Sequence, residues 1–468
     1  MKALVLAAPT SGAGKTIVTL GLLRALSRDG HRVAAAKSGP DYIDPAFHSR
    51  ATGRPSRNLD AWAMPGPVLR GLAHAAAADL LVVEGAVGAV DGAGREAAGS
   101  AADLAVALGA PLLLVLDAAR AGASAVLPAL GLRVLRPELR LMGVIFNRVA
   151  SDRHHALLAA AAQRAGIRVF GQIRRDPALS VPERHLGLVQ AEEITGLDAL
   201  IARAADSVSA GVDLAGVLTA MGSLPHHEAA PVDGLGWMTG LPPPTTRKVA
   251  VARDRAFRFA YPHLGWGTAP QDQMFSPLAN EAPDSDADVI LLPGGYPELH
   301  AKPLAEATLF RRGMLAAARR GARIYGECGG YMVLGRTLRD AEGTAHRMLD
   351  LLPVETSFAK RRLALGYRTL RPAAGAPVSA VLRGHEFHYA TLAEPEREAE
   401  TDARLFEAED ADGRRLAPLG HVRGNTAGSF AHVIWPHAPL DEGDEGHAAS
   451  GDKKKRGEGS NAKHRGLS

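Results

Sequence analysis

The hydrophobic positions of the chain form short aliphatic runs that alternate with longer amphipathic segments up to about residue 220. Short aliphatic runs are typical of strands buried on both faces of a parallel sheet, and apolar residues three and four positions apart are typical of helices. The pattern predicts strands at residues 3–8, 33–37, 80–84, 111–117, 141–147 and 169–173, and helices at residues 16–29, 100–108 and 156–165. Because strands and helices alternate, we expect an α/β domain with a doubly wound, mainly parallel sheet.

A second series of strands follows a change in composition at residues 221–247, which are rich in proline and glycine and typical of a linker. Residues 265–273 have poor propensity for helix and for strand. Strands of a second α/β unit are predicted at residues 248–252, 289–293, 323–326 and 428–434. The predicted organisation is a first domain at 1–220, a linker at 221–247, a second domain at 248–438 and a disordered tail at 439–468.

Composition and charge exclude several classes of protein. Cys328 is the single cysteine, so an internal disulfide framework is excluded and a reducing, cytoplasmic environment is expected. We expect neither a signal peptide nor a membrane span, because no apolar run is long enough to cross a bilayer. The net charge of +4 arises in residues 453–468, which carry six Lys/Arg residues against Glu458, so the rest of the chain sums to −1. A nucleic-acid partner is therefore not expected.

The sequence PTSGAGKT lies between the first predicted strand and the first predicted helix. It fits the phosphate-loop pattern, with Pro9 in place of the first glycine. Gly12 and Gly14 allow backbone N–H groups to face a phosphate, and the helix N-terminus adds positive potential. In this pattern Lys15 reaches the β- and γ-phosphates and the Thr16 hydroxyl binds Mg²⁺. The loop therefore predicts ATP binding.

Four acidic residues follow neighbouring predicted strands. Asp41 and Asp44 come after the second strand, Glu84 ends the third, and Asp91 lies a few residues beyond it. Because ligands bind at the carboxyl ends of parallel strands, these side chains are expected at one edge of the sheet. Taken singly, each could equally be a solvated acid or a turn residue. Together they predict a Mg²⁺–phosphate site.

Cys328 lies between an apolar run and an amphipathic helix, in the sequence YGECGGYM. Small neighbours tolerate a strained strand-to-helix turn, and a helix N-terminus favours the thiolate. Gly294 and Gly295 end an earlier strand and, with Gly329, can direct N–H groups at an oxyanion. His432, on a later apolar strand, supplies a base. Singly, the cysteine and histidine could be packed core residues, but together they predict a nucleophilic site.

These motifs, in this order, resemble the cobyrinic/hydrogenobyrinic acid a,c-diamide synthases, which are ATP-dependent glutamine amidotransferases of cobalamin biosynthesis. The resemblance covers residues 1–438 and rests on the sequences APTSGAGKT, KSGPDYIDP, VEG, PERHLGL, LPGGYPELH, YGECGGY and RGHEFHY. It implies a P-loop, dethiobiotin-synthetase-like domain followed by a class I glutamine amidotransferase-like domain. The implied activity is amidation of the c- and then the a-acetate side chain of a corrin, with glutamine and MgATP as co-substrates.

The resemblance also implies roles for individual residues. Cys328 is the implied glutaminase nucleophile, His432 its activating base, and the four acids match the acidic cluster of the synthetase domain. The glutamate usually found two positions after the histidine is replaced by Ile434, so a Cys–His dyad is expected. Asn147 resembles an adenine-binding position. Where the family normally has a helix and a strand, this chain has residues 265–273.

A corrin substrate with many carboxylates should attract cationic and polar side chains. Any one of the four candidates could equally be an ordinary surface charge or a packed structural histidine. The candidates are Arg184, His185, His385 and His388. The general character of the sequence favours the cobalt-free substrate over the cobalt-bearing one. A second copy of the chain, forming a homodimer, is a further expected partner.

Three other assignments share part of this motif set. Cobyric acid synthase shares both domains, but the sequences KSGPDYIDP and RGHEFHY favour the a,c-diamide enzyme. A partitioning-type ATPase switch usually carries an early lysine in its phosphate loop, where this chain has Thr10, and lacks a cysteine turn. A binding protein with a degenerate glutaminase half predicts loss of Cys328 or His432, and both are present.

Overall fold

A computed structural model of the protein describes residues 1–181, 183–184, 187–188, 190–225, 233–392 and 403–439. The predicted tail therefore lies outside the described residues from residue 440 onward. Two α/β units follow each other along the chain, each built on its own large sheet.

The first unit is a parallel sheet with helices on both faces. Its main strands have the order β3-β2-β4-β1-β5-β6-β7 and are parallel, while β10 pairs antiparallel with β1. Its strands are β1 (Lys2–Ala7), β2 (Val33–Ser38), β3 (Arg57–Leu59), β4 (Leu80–Glu84), β5 (Leu112–Asp117), β6 (Leu141–Val149), β7 (Val169–Arg174), β8 (Glu183–Arg184), β9 (Gly187–Leu188) and β10 (Gly222–Ser223). Its helices are α1 (Lys15–Arg28), α2 (Asp44–Thr52), α3 (Gly66–His74), α4 (Ala101–Leu108), α5 (Leu127–Leu135), α6 (Asp152–Arg164), α7 (Leu197–Gly211) and α8 (Leu214–Ala220).

The aliphatic runs of the first unit are strands because both faces of the sheet are covered. In β1, Ala3 and Val5 join the apolar core on one face, and Leu4 and Leu6 join the core on the other. Successive side chains of a strand point to opposite faces, so a strand covered on both sides must be apolar at every position. The doubly wound parallel sheet predicted from the sequence is confirmed.

The second unit is a mixed sheet of ten strands. Its order is β12-β11-β13-β14-β23-β22-β21-β18-β19-β24, parallel from β12 to β23 and antiparallel beyond, and a small sheet has the order β16-β15-β17-β20. The strands are β11 (Val249–Ala252), β12 (Gln273–Phe275), β13 (Val289–Leu292), β14 (Arg323–Glu327), β15 (Thr337–Arg339), β16 (Ala345–Arg347), β17 (Glu355–Ser357), β18 (Ala364–Pro372), β19 (Ala380–His388), β20 (Thr391–Leu392), β21 (Ala403–Glu409), β22 (Leu419–Arg423), β23 (Thr426–Ser429) and β24 (Ala431–Pro439). The helices are α9 (Ala301–Glu306), α10 (Thr308–Arg320) and α11 (Gly329–Leu334), and short 3₁₀ turns lie at Ala123–Val126, Ala191–Glu193, Pro262–Leu264, Pro277–Ala279 and Pro297–His300.

The single strand predicted at residues 428–434 is wrong, because the structure has two strands there. The first, β23, pairs with β14 in the parallel half of the sheet, and the second, β24, pairs with β19 at the antiparallel edge. Phe430 lies at the break and is buried between the rings of Tyr331 and His388. This break carries the chain from the centre of the sheet to its edge and sets the position of His432.

Residues 265–272 contain no helix and no strand, in keeping with their propensities. Two glycines with positive φ, Gly265 and Gly267, flank the buried ring of Trp266, whose Nε1 donates to the Gly234 carbonyl at 3.4 Å. Gln273 then begins β12, which pairs in parallel with β11. The aromatic anchor and the strand pairing order this edge without a helix.

The two units contact each other through aromatic and polar side chains. The Tyr261 hydroxyl donates to that of Tyr42 at 2.6 Å, and the Tyr367 hydroxyl donates to the Asp60 carboxylate at 3.0 Å. Residues 233–241 of the predicted linker pack on the second unit, where the Ser379 amide donates to the Trp237 carbonyl. In the described ranges, no helix is both long and apolar enough to cross a membrane.

Candidate active sites

The phosphate loop connects β1 to α1 and has the backbone that a phosphate cradle requires. Gly12 and Gly14 have φ values of 76° and 85°, a region open to glycine and costly for other residues. A Cβ atom at Gly14 would lie 2.2 Å from the Asn147 side-chain nitrogen, so the loop also needs glycine for close packing. Asn147 is buried and donates from its amide to the Ala13 carbonyl at 2.9 Å, which fixes it against the loop.

Lys15 and Thr16 begin α1 and point toward the carboxyl end of β4. The Lys15 ammonium donates to the Val87 carbonyl, and burial followed by the nearby charge of Lys37 lowers its pKa. The Thr16 hydroxyl donates to Glu84 Oε1 at 2.8 Å. Lys15 is therefore held by a backbone carbonyl, a contact it can exchange for a phosphate oxygen.

Three of the four predicted acids surround Lys37, a residue that the sequence reasoning did not single out. The ammonium of Lys37 donates to the Asp44 carboxylate. It also lies 3.1 Å from Glu84 Oε1 and 3.7 Å from Asp41 Oδ2. Burial alone would raise the pKa of Glu84, but Lys37 and hydrogen bonds from His48 and Thr16 outweigh it and lower that pKa. The fully buried Glu84 is therefore ionised, and Lys37 offsets much of the cluster's negative charge.

The residues near Thr16 fit a magnesium ion held mainly by phosphate and water. Asp44 Oδ1 is buried without a hydrogen-bond partner, and the Thr16 hydroxyl and Glu84 carboxylate are adjacent oxygen donors. Mg²⁺ at phosphate sites usually takes only one or two protein carboxylates. Among the described residues there is no group of three or more His, Cys, Asp or Glu arranged to hold a metal without such help. Asp91 lies further out, where its carboxylate accepts from the Gly88 amide at 3.0 Å.

Cys328 lies at a strained turn between β14 and α11. Its φ and ψ are 48° and −105°, and its amide donates to the Ser429 carbonyl at 2.8 Å. A non-glycine residue with this backbone is costly and is held only by surrounding structure. A Cβ at Gly330 would lie 1.8 Å from the Leu292 carbonyl oxygen, which explains the need for glycine behind the turn. The predicted nucleophile turn is therefore present.

His432 and the predicted oxyanion glycines surround Cys328. A Cβ at Gly294 would lie 2.9 Å from His432 Nε2 and 3.3 Å from Cys328 Cβ, so these residues meet at Gly294. A Cβ at Gly329 would lie 3.0 Å from the Gly295 amide nitrogen, so the two backbones run side by side. The structure thus brings together all five residues predicted from the cysteine motif.

The thiol of Cys328 is not activated by its surroundings alone, contrary to the expectation from the helix N-terminus. Burial, followed by the charge of Glu298, raises its pKa, and the Gly329 amide only partly opposes this. Helix α11 has six residues and supplies little potential against full burial. A base that takes the thiol proton is therefore required, and His432 is placed to do so.

A cavity of about 810 Å³ lies between the two units and reaches both sites. Asp41 and Asp91 line it from the first unit, and Cys328, His432 and Glu298 line it from the second. Most of the remaining wall is aromatic or aliphatic, with rings contributed by Tyr42, Phe259, Phe358, Tyr367, Phe387 and Tyr389. One cavity therefore extends from Asp41 and from Val87, whose carbonyl accepts from Lys15, to the cysteine.

Tyr42, which the sequence reasoning also missed, is the contact between the acidic loop and the glutaminase-like site. Its ring lies 4.4 Å from that of His432 between centroids, and 5.4 Å from that of Phe259. The sequence signal that could have identified Tyr42 is its position between Asp41 and Asp44, two candidate metal ligands. The acidic loop therefore contacts His432 directly through this ring.

Two of the four predicted corrin contacts can be described. His385 lines the cavity with an unpaired, buried Nδ1, and burial followed by His432 lowers its pKa to about 3. His388 instead has both ring nitrogens within hydrogen-bond distance of protein oxygens, at Glu386 and Ala390, and stacks on Phe430. The side chain of Arg184 and the whole of His185 lie outside the described residues.

The two halves of the chain match two known domain families. Residues 4–189 match the CobQ/CobB/MinD/ParA nucleotide binding domain, and residues 248–439 match the CobB/CobQ-like glutamine amidotransferase domain. A nucleotide-binding domain joined to a glutaminase domain, with a cysteine, a histidine and a phosphate loop in place, defines a glutamine-hydrolysing amide ligase.

Whole-length relatives identify the family within that class. The chain is 49% identical over 441 residues to hydrogenobyrinate a,c-diamide synthase of Brucella abortus, covering 93% of this chain and 98% of that protein. It is 50% identical over 444 residues to the protein of the same name from Rhodobacter capsulatus, covering 92% and 98%. The chain belongs to the family of these a,c-diamide synthases, as its motifs indicated. Among solved structures, MinD of Aquifex aeolicus matches 48% of this chain and 99% of its own, at 13% identity and a TM-score of 0.32.

Replacing Gly294 by alanine is expected to stop glutamine use by displacing His432. The new Cβ would lie 2.2 Å from His432 Cε1, a distance that the buried ring cannot accept. We expect glutamate release to fall on the order of 10²-fold, the usual contribution of a general base. Gly131→Ala is the matched control, because a Cβ there meets nothing within 4 Å. Equal glutamate release by wild type and Gly294→Ala would contradict the placement of His432.

Proposed function

We propose that the protein amidates the a- and c-acetate carboxylates of hydrogenobyrinic acid, using ATP and the amide nitrogen of glutamine. The observation that carries this proposal is the single cavity lined by Asp41 and Asp91 on one side and by Cys328 and His432 on the other. The name and full-length similarity of the relatives support the choice of acceptor.

The first half-reaction activates the acceptor carboxylate. A carboxylate oxygen attacks the γ-phosphorus of ATP, the bond to the bridging oxygen breaks, and ADP leaves with the formation of an acyl phosphate. Lys15 would leave the Val87 carbonyl to offset charge on the transferring group, while Gly12 and Gly14 shape the cradle for the β-phosphate. A Mg²⁺ ion held by Thr16, Glu84 and Asp44 would supply further charge neutralisation on the phosphates.

The second half-reaction releases ammonia from glutamine. His432 takes the Cys328 proton, the sulfur attacks the amide carbon, and N–H groups at Gly295 and Gly329 stabilise the oxyanion. The histidine then returns the proton to the departing ammonia, leaving a thioester that water hydrolyses to glutamate. Ammonia attacks the acyl phosphate, phosphate leaves, and a proton is lost to give the amide.

The cavity is proposed as the route of ammonia between the two half-reactions. Its wall is mainly aromatic and aliphatic, and the carboxyl groups of Asp41, Asp91, Glu298, Asp410 and Asp412 also line it. Ammonia would have to arrive in the neutral form, because only that form can attack a carbonyl carbon. The low pKa of His385 keeps its imidazole uncharged in this space, so it does not protonate the passing ammonia.

The proposed acceptor is tested by mass spectrometry of products formed with MgATP and glutamine. We expect hydrogenobyrinic acid to gain two amides, and cobalt-bearing cobyrinic acid to react less efficiently. No amide on either acid would overturn the proposal, and amides at positions other than a and c would favour a cobyric acid synthase. A cytoplasmic location and a homodimer are further parts of the proposal, and analytical ultracentrifugation checks the second.

A further inference from the structure

The base of the glutaminase site has no orienting carboxylate where this class of enzyme usually supplies one. The residue two positions after His432 is Ile434, whose side chain is fully buried in an apolar cluster. His432 Nδ1 is itself buried and makes no hydrogen bond within the usual distance. A histidine that must hand a proton between sulfur and nitrogen needs its other ring nitrogen held, since this fixes the tautomer and the ring position.

Glu327, the residue immediately before the nucleophile, lies at that nitrogen. Its Oε2 is 3.5 Å from His432 Nδ1, and both side chains are 1% exposed. Its Oε1 accepts a hydrogen bond from the Val433 amide at 2.9 Å. The Glu327 carboxylate therefore links the end of β14 to β24, where it contacts both His432 and the backbone amide of the next residue, Val433.

We infer that Glu327 is the positioning residue of His432, so that a Glu–Cys pair on one turn supplies both the nucleophile and the orienter of its base. This inference rests on the proposed glutaminase activity and adds a third member to the expected Cys–His dyad. Glu327 is held by β14, which pairs with β13 and β23. The carboxylate and the sulfur therefore share one rigid support.

The chemistry explains why a carboxylate is needed here. Cys328 is buried and keeps its proton, so forming the thiolate requires an imidazolium nearby. Glu327 stabilises that imidazolium at 3.5 Å and favours the tautomer with hydrogen on Nδ1, which leaves Nε2 free to accept the thiol proton. The Val433 hydrogen bond keeps the carboxylate in place as the charge on the ring changes.

Two titratable side chains in contact with His432, those of Tyr42 and His385, supply no anion for this role near neutral pH. Tyr42 packs on its ring and His385 is its cross-strand neighbour. Burial raises the pKa of Tyr42 far above its usual range, and burial lowers the pKa of His385 to about 3. Burial likewise raises the pKa of the Cys328 thiol.

The test is Glu327→Gln, which keeps the shape of the side chain and its acceptor oxygen but removes the charge. We expect kcat for glutamate release to fall on the order of 10²-fold with KM for glutamine little changed. Glu327→Asp, which keeps the charge, should restore most of the wild-type kcat for glutamate release, a rescue that a purely structural role would not give.

Ammonia-dependent amidation serves as the folding control and should be unchanged in both variants. Glu409→Gln, which removes a carboxylate paired with Arg371 at the sheet surface, should behave as wild type. Wild-type glutamate release in Glu327→Gln would overturn the inference, as would loss of ammonia-dependent activity alone. A wild type that releases no glutamate would instead overturn the proposed function, so the two failures are distinguishable.

Discussion

Cys328→Ala is expected to abolish glutamine-dependent amidation and to leave ammonia-dependent amidation within about twofold of wild type. Removal of a catalytic nucleophile costs on the order of 10⁴-fold or more in kcat. The thiol is the single sulfhydryl of the chain, and no other nucleophile can form the thioester. The phosphate loop and the acidic cluster belong to a different sheet, so loss of one sulfur atom leaves their geometry intact.

Parallel assays of glutamate release and amide formation, each with glutamine or ammonium chloride, measure this separation. Cys328→Ser is the matched control for side-chain volume, and it should also fail with glutamine, because a hydroxyl is a far weaker nucleophile without deprotonation. If both variants lost ammonia-dependent activity, Cys328 would have to act in shaping the shared cavity, and two separable half-reactions would be excluded.

The parts of the fold that could be predicted from the sequence are those specified by local pattern. Strand β1, the glycines of the phosphate loop and helix α1 follow one another without interruption, so period, turn chemistry and helix start agree. The turn at Cys328 is likewise encoded within a few residues, because the strained backbone needs the small residues Gly329 and Gly330 beside it.

The parts that escaped prediction depend on strands distant in sequence. His432 faces Cys328 only because the chain breaks at Phe430 and leaves the parallel half of the sheet for its edge. A continuous apolar run gives no sign of such a break, since every position on both sides of it is buried. The contact of Glu327 with His432 depends on that break and was missed with it.

Lys37 shows a second limit of sequence reasoning, which concerns charge. Four acids at strand ends predict a strongly negative site, yet a buried ammonium among Asp41, Asp44 and Glu84 offsets much of that charge. Uncompensated carboxylates at this density would be costly to bury, so a cation or a metal must accompany them. The acids alone do not show that a lysine supplies this cation, whereas the structure places Lys37 against the carboxylates of Asp44 and Glu84.

Tyr42 links the two sites in a way that neither domain encodes alone. It lies between two acids of the proposed magnesium and acceptor site, and its ring packs on His432 with its hydroxyl bonded to Tyr261. The acidic loop therefore places one ring against the proposed glutaminase base. The domain interface is thus part of both active sites, in addition to holding the domains together.

Lys15→Met is expected to lower the rate of amidation with either nitrogen source by at least about 10²-fold, which is the usual loss when one group that stabilises transition-state charge is removed. Methionine keeps the length of the side chain but cannot offset charge on the transferring phosphoryl group. Glutamate release should persist within a few-fold, because Lys15 lies on the first sheet and makes its hydrogen bonds to Thr10 and Val87.

The matched control is Lys2→Met, which removes a lysine from the exposed start of β1 and should leave both activities unchanged. ADP formation, amide formation and glutamate release measured together separate the outcomes. Retained amidation with ammonia in Lys15→Met would contradict the assignment of the phosphate loop to carboxylate activation. Simultaneous loss of glutamate release would mean that phosphoryl transfer controls the glutaminase, and the contact of Tyr42 with His432 is the path by which such control would reach Cys328.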